Sequence, residues 1–218
     1  MNNLEKGHIN RLLWETKYIS GPDENWFISK VFKNKKQLLP IEEQKRIIEV
    51  KKQYFWEYIP KTELIEIENW EYIIRQKFIR WKTLDQIDVS NLWPETLSKL
   101  LDLIKKYLKY HKEQWWSMDV TWCQYHAWNP NIIKMRIMNF LKINKNFLVS
   151  TNIMIWDDWN VYMVDICESA VFRLQSRIKN FCSKPFIRRT IKKLEELLQQ
   201  KINFEKERTN KELVDNLK

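Results

Sequence analysis

The chain has 218 residues, 44% of them apolar and 30% charged, a balance that suits a globular core and gives no repeat or low-complexity segment. A net charge of +10, spread along the chain rather than blocked, suits a polyanionic partner (nucleic acid, a membrane surface or a nucleotide triphosphate) without choosing among them. No apolar run approaches the roughly 20 residues of a membrane span. The opening MNNLEKGHIN lacks a signal-peptide pattern, and three scattered cysteines make no disulfide framework, so the cytoplasm is the expected location.

In chain order, residues 1–20 are mixed, with Ile9, Leu12 and Leu13 as possible anchors. Gly21-Pro22-Asp23-Glu24-Asn25 is a turn, and Phe27–Lys33 reads as a strand with Lys30 set between Ile28 and Val31-Phe32. Pro40 opens a helix to Tyr54, whose Ile41, Ile47, Ile48, Val50 and Tyr54 make a broad apolar face. Residues 62–67 and 71–79 flank Asn69-Trp70 as a hairpin. Pro94–Lys112 is the strongest helix, with Leu97, Leu100, Leu101, Ile104, Tyr107 and Leu108 at three- and four-residue spacing and His111 as its expected cap.

Asn152–Ile155 and Asn160–Val164 then read as two short strands around a tight turn, rich in β-branched and aromatic residues. An Asn opens the first strand and Asp165 follows the second, so a hairpin brings both polar side chains to one end. Helices are expected over Val171–Phe181 and Pro185–Ile202, with 203–218 a charged tail that frays or disorders. Cys123 and His126 lie three apart with no second ligand pair, which argues against zinc.

The composition carries one anomaly. There are 12 Trp and 2 Gly, whereas average usage of about 7% would give roughly 15 glycines. The tryptophans also stand where glycine is expected. Asn25-Trp26 and Asn69-Trp70 border strands, Asp158-Trp159 fills a turn that calls for Asp-Gly, and Trp81 and Trp93 sit at breaks. Most of them read as glycine from a recoded UGA codon, as in some bacterial lineages, and the Lys-, Ile- and Asn-rich composition suits an A+T-rich genome.

With the hairpin in hand, the run NIMI…DDxNVYMVD resembles the corresponding run of the protein-kinase-like phosphotransferases, particularly their small-molecule (aminoglycoside-phosphotransferase-like) and bacterial atypical members. The resemblance covers about residues 20–200. It implies an α+β fold of two lobes: a small antiparallel N-lobe sheet with one helix (1–80), a mainly helical, shortened C-lobe (81–202), and the charged tail (203–218). It implies ATP with Mg²⁺, held by Asn152 and Asp165 as metal ligands. Lys30, favoured over Lys33, would pair with the α- and β-phosphates. Glu49, or less favourably Glu43, would pair with that lysine, and Phe78 and Ile79 would border the adenine.

Ser117-Met118-Asp119-Val120-Thr121-Trp122, read as SMDVTG, supplies Asp119 as the base that accepts the acceptor's hydroxyl proton. Here the chain departs from the family. The usual base position, five residues before the Asn, is Phe147, so residues 123–149 would be an insertion carrying Lys134, Arg136, Lys142 and Lys145, with a short helix at 132–141, or the base is lost. Cys167 replaces the Gly of the Asp-Phe-Gly motif, and no glycine-rich phosphate loop is recognisable. The expected function is therefore an ATP-dependent phosphotransferase or an inactive, pseudokinase-like nucleotide-binding relative, its acceptor unreadable. If the tryptophans are genuine, the alternative is a basic, aromatic-rich protein that binds single-stranded nucleic acid by phosphate pairing and base stacking, a partner the residues favour less.

Overall fold

The computed structural model describes residues 17–32, 38–67, 71–80, 82–114, 152–155, 159–164, 166–167 and 170–216. The elements are β1 (Lys17–Ser20), β2 (Phe27–Phe32), α1 (Ile41–Phe55), β3 (Thr62–Glu66), β4 (Tyr72–Lys77), β5 (Lys82–Thr83), α2 (Pro94–Glu113), β6 (Ile153–Ile155), β7 (Val161–Met163) and α3 (Ala170–Asn216). Among the described residues the class is α+β, with antiparallel sheets and three α-helices. One sheet has the strand order β1-β2-β4-β3, and a smaller one β5-β6-β7. The expected insertion around 123–149, including the helix at 132–141, lies outside the described residues.

Residues paired across an antiparallel ladder share a face, so register fixes what the larger sheet turns inward. Thr62 faces Gln76 and Gln76 faces Ile28; Leu64 faces Ile74 and Ile74 faces Lys30. Strand β4 alternates cleanly, with Tyr72, Ile74 and Gln76 buried. One end of this inner face is apolar, where Phe32 meets Tyr72 edge to face, and the other is polar.

Helix α1 covers the sheet's inner side with Ile41, Gln44, Ile48, Lys51 and Phe55. These are spaced 3, 4, 3 and 4 residues apart, one stripe of a 3.6-residue helix. Ile47 and Val50 are only half-buried, so the stripe is turned from the one the apolar residues alone suggest. At its C-terminal end, Tyr54, Phe55 and Tyr110 form an aromatic trio with α2, ring centroids 5.3–6.0 Å apart. Around it Tyr58 donates to Asp102 (2.6 Å), Lys106 bridges Glu57 and Asp102, and Tyr54 donates to Glu113.

Helix α2 follows Trp93 with Pro94 in its first turn and buries Leu97, Leu100, Leu101, Leu103, Ile104, Tyr107 and Tyr110. His111 does not cap it. The imidazole is fully buried against Tyr107, 4.2 Å between centroids, and the helix closes instead with Gln114 N–H donating to the Tyr110 carbonyl. Helix α3 packs along α2 through Ile187, Leu194 and their neighbours, with Lys105–Glu195 at the rim. Among the described residues, one apolar cluster runs from Phe32 and Tyr72 through Phe55 and α2 to Ile153, Met163 and Leu194.

Helix α3 is continuous through Pro185 and on to Asn216, where two helices and a fraying tail are expected from the sequence. Its distal part is rich in Glu and Lys, good helix formers. That part carries an i,i+4 pair, Arg208–Glu212, while residues 203–212 are exposed.

Two non-glycine residues among those described have positive φ, and both are tryptophans: Trp26 (59°) and Trp159 (61°). Both occupy turns in which glycine is the expected residue. Trp56 and Trp93, the other tryptophans described, are exposed. Trp70 and Trp81 lie outside the described residues.

Candidate functional site

The polar end of the inner sheet face brings Lys30 and Asn152 together. Lys30, 6% exposed, donates from Nζ to Gln76 Oε1 (2.8 Å) and to the Val164 carbonyl (2.8 Å). Gln76, 1% exposed, spends its amide on Thr62 Oγ1 (3.0 Å), and that hydroxyl donates to the Pro60 carbonyl (2.7 Å). The ammonium is thereby held at the end of a chain of three hydrogen bonds that begins on the backbone before β3. A charge buried this far from water persists only where its donors are satisfied.

The second component is the end of the β6–β7 hairpin. The register Ile153↔Met163 sets Asn152 opposite Val164, and Val164 N–H donates to the Asn152 carbonyl (2.9 Å). Asn152 is 6% exposed. The hairpin's turn end is tied to the start of α2, where Thr96 Oγ1 donates to the Trp159 carbonyl (3.2 Å) and Lys99 to the Asn160 side chain. Strand β5 pairs Lys82 with Ile155 and Thr83 with Met154, so the segment leaving the larger sheet runs directly onto the hairpin.

A third residue enters from α1. Lys51, 2% exposed, donates from Nζ to the Ile166 carbonyl (2.7 Å). Two buried ammonium groups from different elements thus hold the carbonyls of Val164 and Ile166. Sequence reasoning missed both Lys51 and Gln76. The signals were there: a lysine at the spacing of Gln44, Ile48 and Phe55, and a glutamine continuing the alternation Tyr72, Ile74.

Of the expected site residues, Lys30 and Asn152 come together through Val164. Glu49 does not join them. It lies on the exposed face of α1, paired with Lys52 at 2.8 Å, because the helix turns Ile48 and Lys51 inward and residue 49 lies about 100° around from 48. Glu43 is half-buried. Ile79 is buried and Phe78 half-buried. The Phe78 N–H, however, already donates to the Trp26 carbonyl (2.7 Å), and its ring stacks on Trp26 at 6.3 Å. Asp119 and Asp165 lie outside the described residues.

The turn before β2 is built on one carboxylate. Asp23 Oδ1 accepts from Asn25 and Phe27 N–H (2.9 Å each), and Oδ2 from Arg75 (2.8 Å). The Arg75 hydrogen bond, then those from the backbone, hold this carboxyl below the ordinary range. Burial pushes the Tyr72 hydroxyl up, with the neighbouring Cys167 thiol adding to it. An open groove of about 500 Å³ lies elsewhere, between Leu92–Pro94 and Leu197–Arg208 of α3, and none of Lys30, Gln76, Lys51 or Asn152 lines it.

No family model, curated protein or solved structure matches this chain.

Proposed function

We propose that the chain is a kinase-like nucleotide-binding domain of two lobes, the larger sheet with α1 forming one and α2, the hairpin and α3 the other. Its ligand is ATP with Mg²⁺, and it transfers phosphate if Asp119 reaches an acceptor. The observation that carries this reading is the bond from the Lys30 ammonium to the Val164 carbonyl, across 134 residues of chain. It sets a buried cation on a strand beside a hairpin end that holds Asn152 and precedes Asp165.

That set of groups suits a metal–polyphosphate. Mg²⁺ takes oxygen ligands, usually one or two from the protein with the rest from phosphates and water, and an Asn carbonyl and an Asp carboxylate supply oxygen only. Asn152 and Asp165 would hold the ion, which would supply neutralisation of the phosphate charge. Lys30 would meet phosphate, and its tether through Gln76 and Thr62 would fix its position before the ligand arrives. The Phe78 amide is not the donor to the base, so adenine recognition falls to other groups of residues 78–82. Asp119 would accept the acceptor's hydroxyl proton.

Thermal unfolding with and without MgATP tests the reading. Wild-type protein should be stabilised by MgATP, and Asp165→Ala should lose that shift. No MgATP shift in the wild type, together with steeply salt-dependent oligonucleotide binding, would favour nucleic-acid binding instead. The two positive-φ tryptophans weigh against that second reading, because they sit where a turn, rather than a base-stacking surface, dictates the residue. Turnover unchanged in Asp119→Ala would remove Asp119 as the base.

A further inference from the structure

We infer that the outer face of the larger sheet docks on an anionic lipid bilayer, its aliphatic side chains entering the headgroup region and a row of cations meeting lipid phosphates. This face lies opposite the one that carries Lys30, and the inference does not depend on the nucleotide-binding reading. An antiparallel sheet with one solvated face usually alternates apolar and polar residues. Here apolar residues take both faces, at Val31-Phe32, Leu64-Ile65 and Ile73-Ile74. Phe32, Leu64 and Ile74 pack on the core, so Val31, Ile65 and Ile73 turn to the outer face. Val31, Ile65 and Ile67 are 37%, 42% and 43% exposed, and among the described residues no other Val, Leu or Ile is exposed. An apolar patch left open on a sheet face is the informative kind of exposure. The three spread over β2 and the edge strand β3 with β4 between them, about 10 Å across, a breadth that suits a flat partner.

The cations stand at the Phe27 end of the same face. Phe27 pairs with Lys77, and Lys77 N–H donates to the Lys61 carbonyl (2.8 Å), so the two lysines sit opposite each other on neighbouring strands. Like charges so placed destabilise a sheet. Together with Arg75 they crowd one ring, the charged groups of Arg75, Lys77 and Lys61 lying 4.3, 5.3 and 5.7 Å from the Phe27 centroid. Asp23 and Glu63 answer Arg75, and Glu63 also answers Lys61 at 3.1 Å. Lys77 has no carboxylate partner among the described residues, and its ammonium donates to the Asn25 carbonyl (3.1 Å). Glu71, across from Ile67, is the acidic residue at the far end of the face. A nucleic acid would meet the cations and leave the aliphatic patch in water. An anionic bilayer meets both, with headgroup charge beside Lys61 and Lys77 and the acyl boundary beside Ile65 and Ile67. The chain's net charge of +10 adds long-range attraction to such a surface.

The test sediments the full chain with vesicles of phosphatidylcholine alone, and of phosphatidylcholine with about one-third phosphatidylserine, at low and physiological salt. Wild type should bind the anionic vesicles, less tightly as salt rises, and the neutral ones far more weakly. Lys61→Gln combined with Lys77→Gln should cut that affinity about 5- to 30-fold. Ile65→Ser combined with Ile67→Ser should weaken binding at both salt concentrations, because insertion of apolar surface is not screened. Lys192→Gln combined with Lys211→Gln removes the same charge from α3 and should leave binding nearly unchanged.

Should the sheet variants fail to fold, the wild type itself decides. Spin-labelled lipid in bicelles of the anionic mixture should broaden the methyl resonances of Ile65 and Ile67 and spare Ile202 on α3. No binding to anionic vesicles, equal losses from the α3 and sheet lysine pairs, or broadening that spares Ile65 and Ile67 overturns the inference. Oligothymidylate or polyglutamate binding that is lost with Lys61 and Lys77, while vesicles are ignored, also overturns it and gives the face to a nucleic acid or an acidic polypeptide.

Discussion

Trp159 offers a stability measurement whose sign is fixed by the backbone. Its φ of 61° is in the left-handed region, where an L side chain brings Cβ against the following carbonyl at a cost of about 1–2 kcal/mol. Replacing Trp159 by glycine alone is ambiguous, because the half-exposed ring also contributes burial, on the order of 2 kcal/mol if about 100 Å² is covered. Comparing Trp159→Gly with Trp159→Ala cancels that loss, since both remove the ring. At an ordinary φ, alanine is the more stable of the two by about 0.5–1 kcal/mol. At φ 61° the order inverts, and glycine should lead by about 1 kcal/mol or more.

For a chain of this size that separates the two variants by about 2–4 °C in Tm per kcal/mol, readable by calorimetry or from urea midpoints at constant slope. Trp26, φ 59°, should behave alike. Trp56 is the internal control, exposed and in the right-handed region (φ −52°, ψ −37°), so there alanine should win. Alanine equal to or above glycine at both 26 and 159 would refute the assignment of these turns and remove the structural support for reading those tryptophans as glycine. Reading the twelve Trp codons of the source gene addresses the same point independently.

Three further predictions are independent of it. Lys30→Met should weaken MgATP binding about 10- to 150-fold, the equivalent of one charge-assisted hydrogen bond of about 1.5–3 kcal/mol, measured by titration calorimetry; unchanged affinity would remove Lys30 from the site. Burial raises the Asp102 carboxyl, but the bonds from Lys106 and Tyr58 outweigh it and the folded value is lowered, so its contribution is present above the ordinary carboxylate range near pH 4 and is lost as pH falls through the lower folded value. Urea midpoints against pH should show that acid limb flattened in Asp102→Asn, and Tyr58→Phe should cost about 1 kcal/mol at neutral pH. Ending the chain after Ile202 removes an exposed stretch of α3 and should move Tm by about 2 °C at most.

What the sequence made legible follows from how local each signal is. The strand Phe27–Phe32, the helix from Ile41, the hairpins and the helix from Pro94 fall within a residue or two of expectation, because alternation, proline at a helix start and turn pairs act over a few neighbours. The glycine-like character of positions 26 and 159 was legible for the same reason. Glu49 and His111 were not. Whether α1 turns 49 or 51 inward depends on a rotation of about 100° per residue relative to a sheet that the apolar pattern defines only broadly, and half-buried Ile47 and Val50 blurred it. His111 reads as a polar end residue until the Tyr107 ring is seen beside it. Pro185 signals a helix break locally, yet α3 carries on through it, with Ile187, Leu194 and neighbours packed on the common core further along. Gln76 and Lys51 act through partners 46 and 115 residues away, distances at which no local pattern speaks.

The aromatic trio that joins α1 to α2 has a mechanical consequence. Tyr54 and Phe55 anchor the C-terminal end of a 15-residue helix about 21 Å long, at 1.5 Å per residue, while its other end starts beyond Pro40 without a side-chain cap. Any tilt of α1 is therefore a lever turning about its bolted end. A 10° tilt carries Ile41 through about 4 Å but moves Lys51, one turn from the pivot, by only about 1 Å. A displacement of Ile41 by such a tilt would reach the Ile166 carbonyl that Lys51 holds reduced about fourfold.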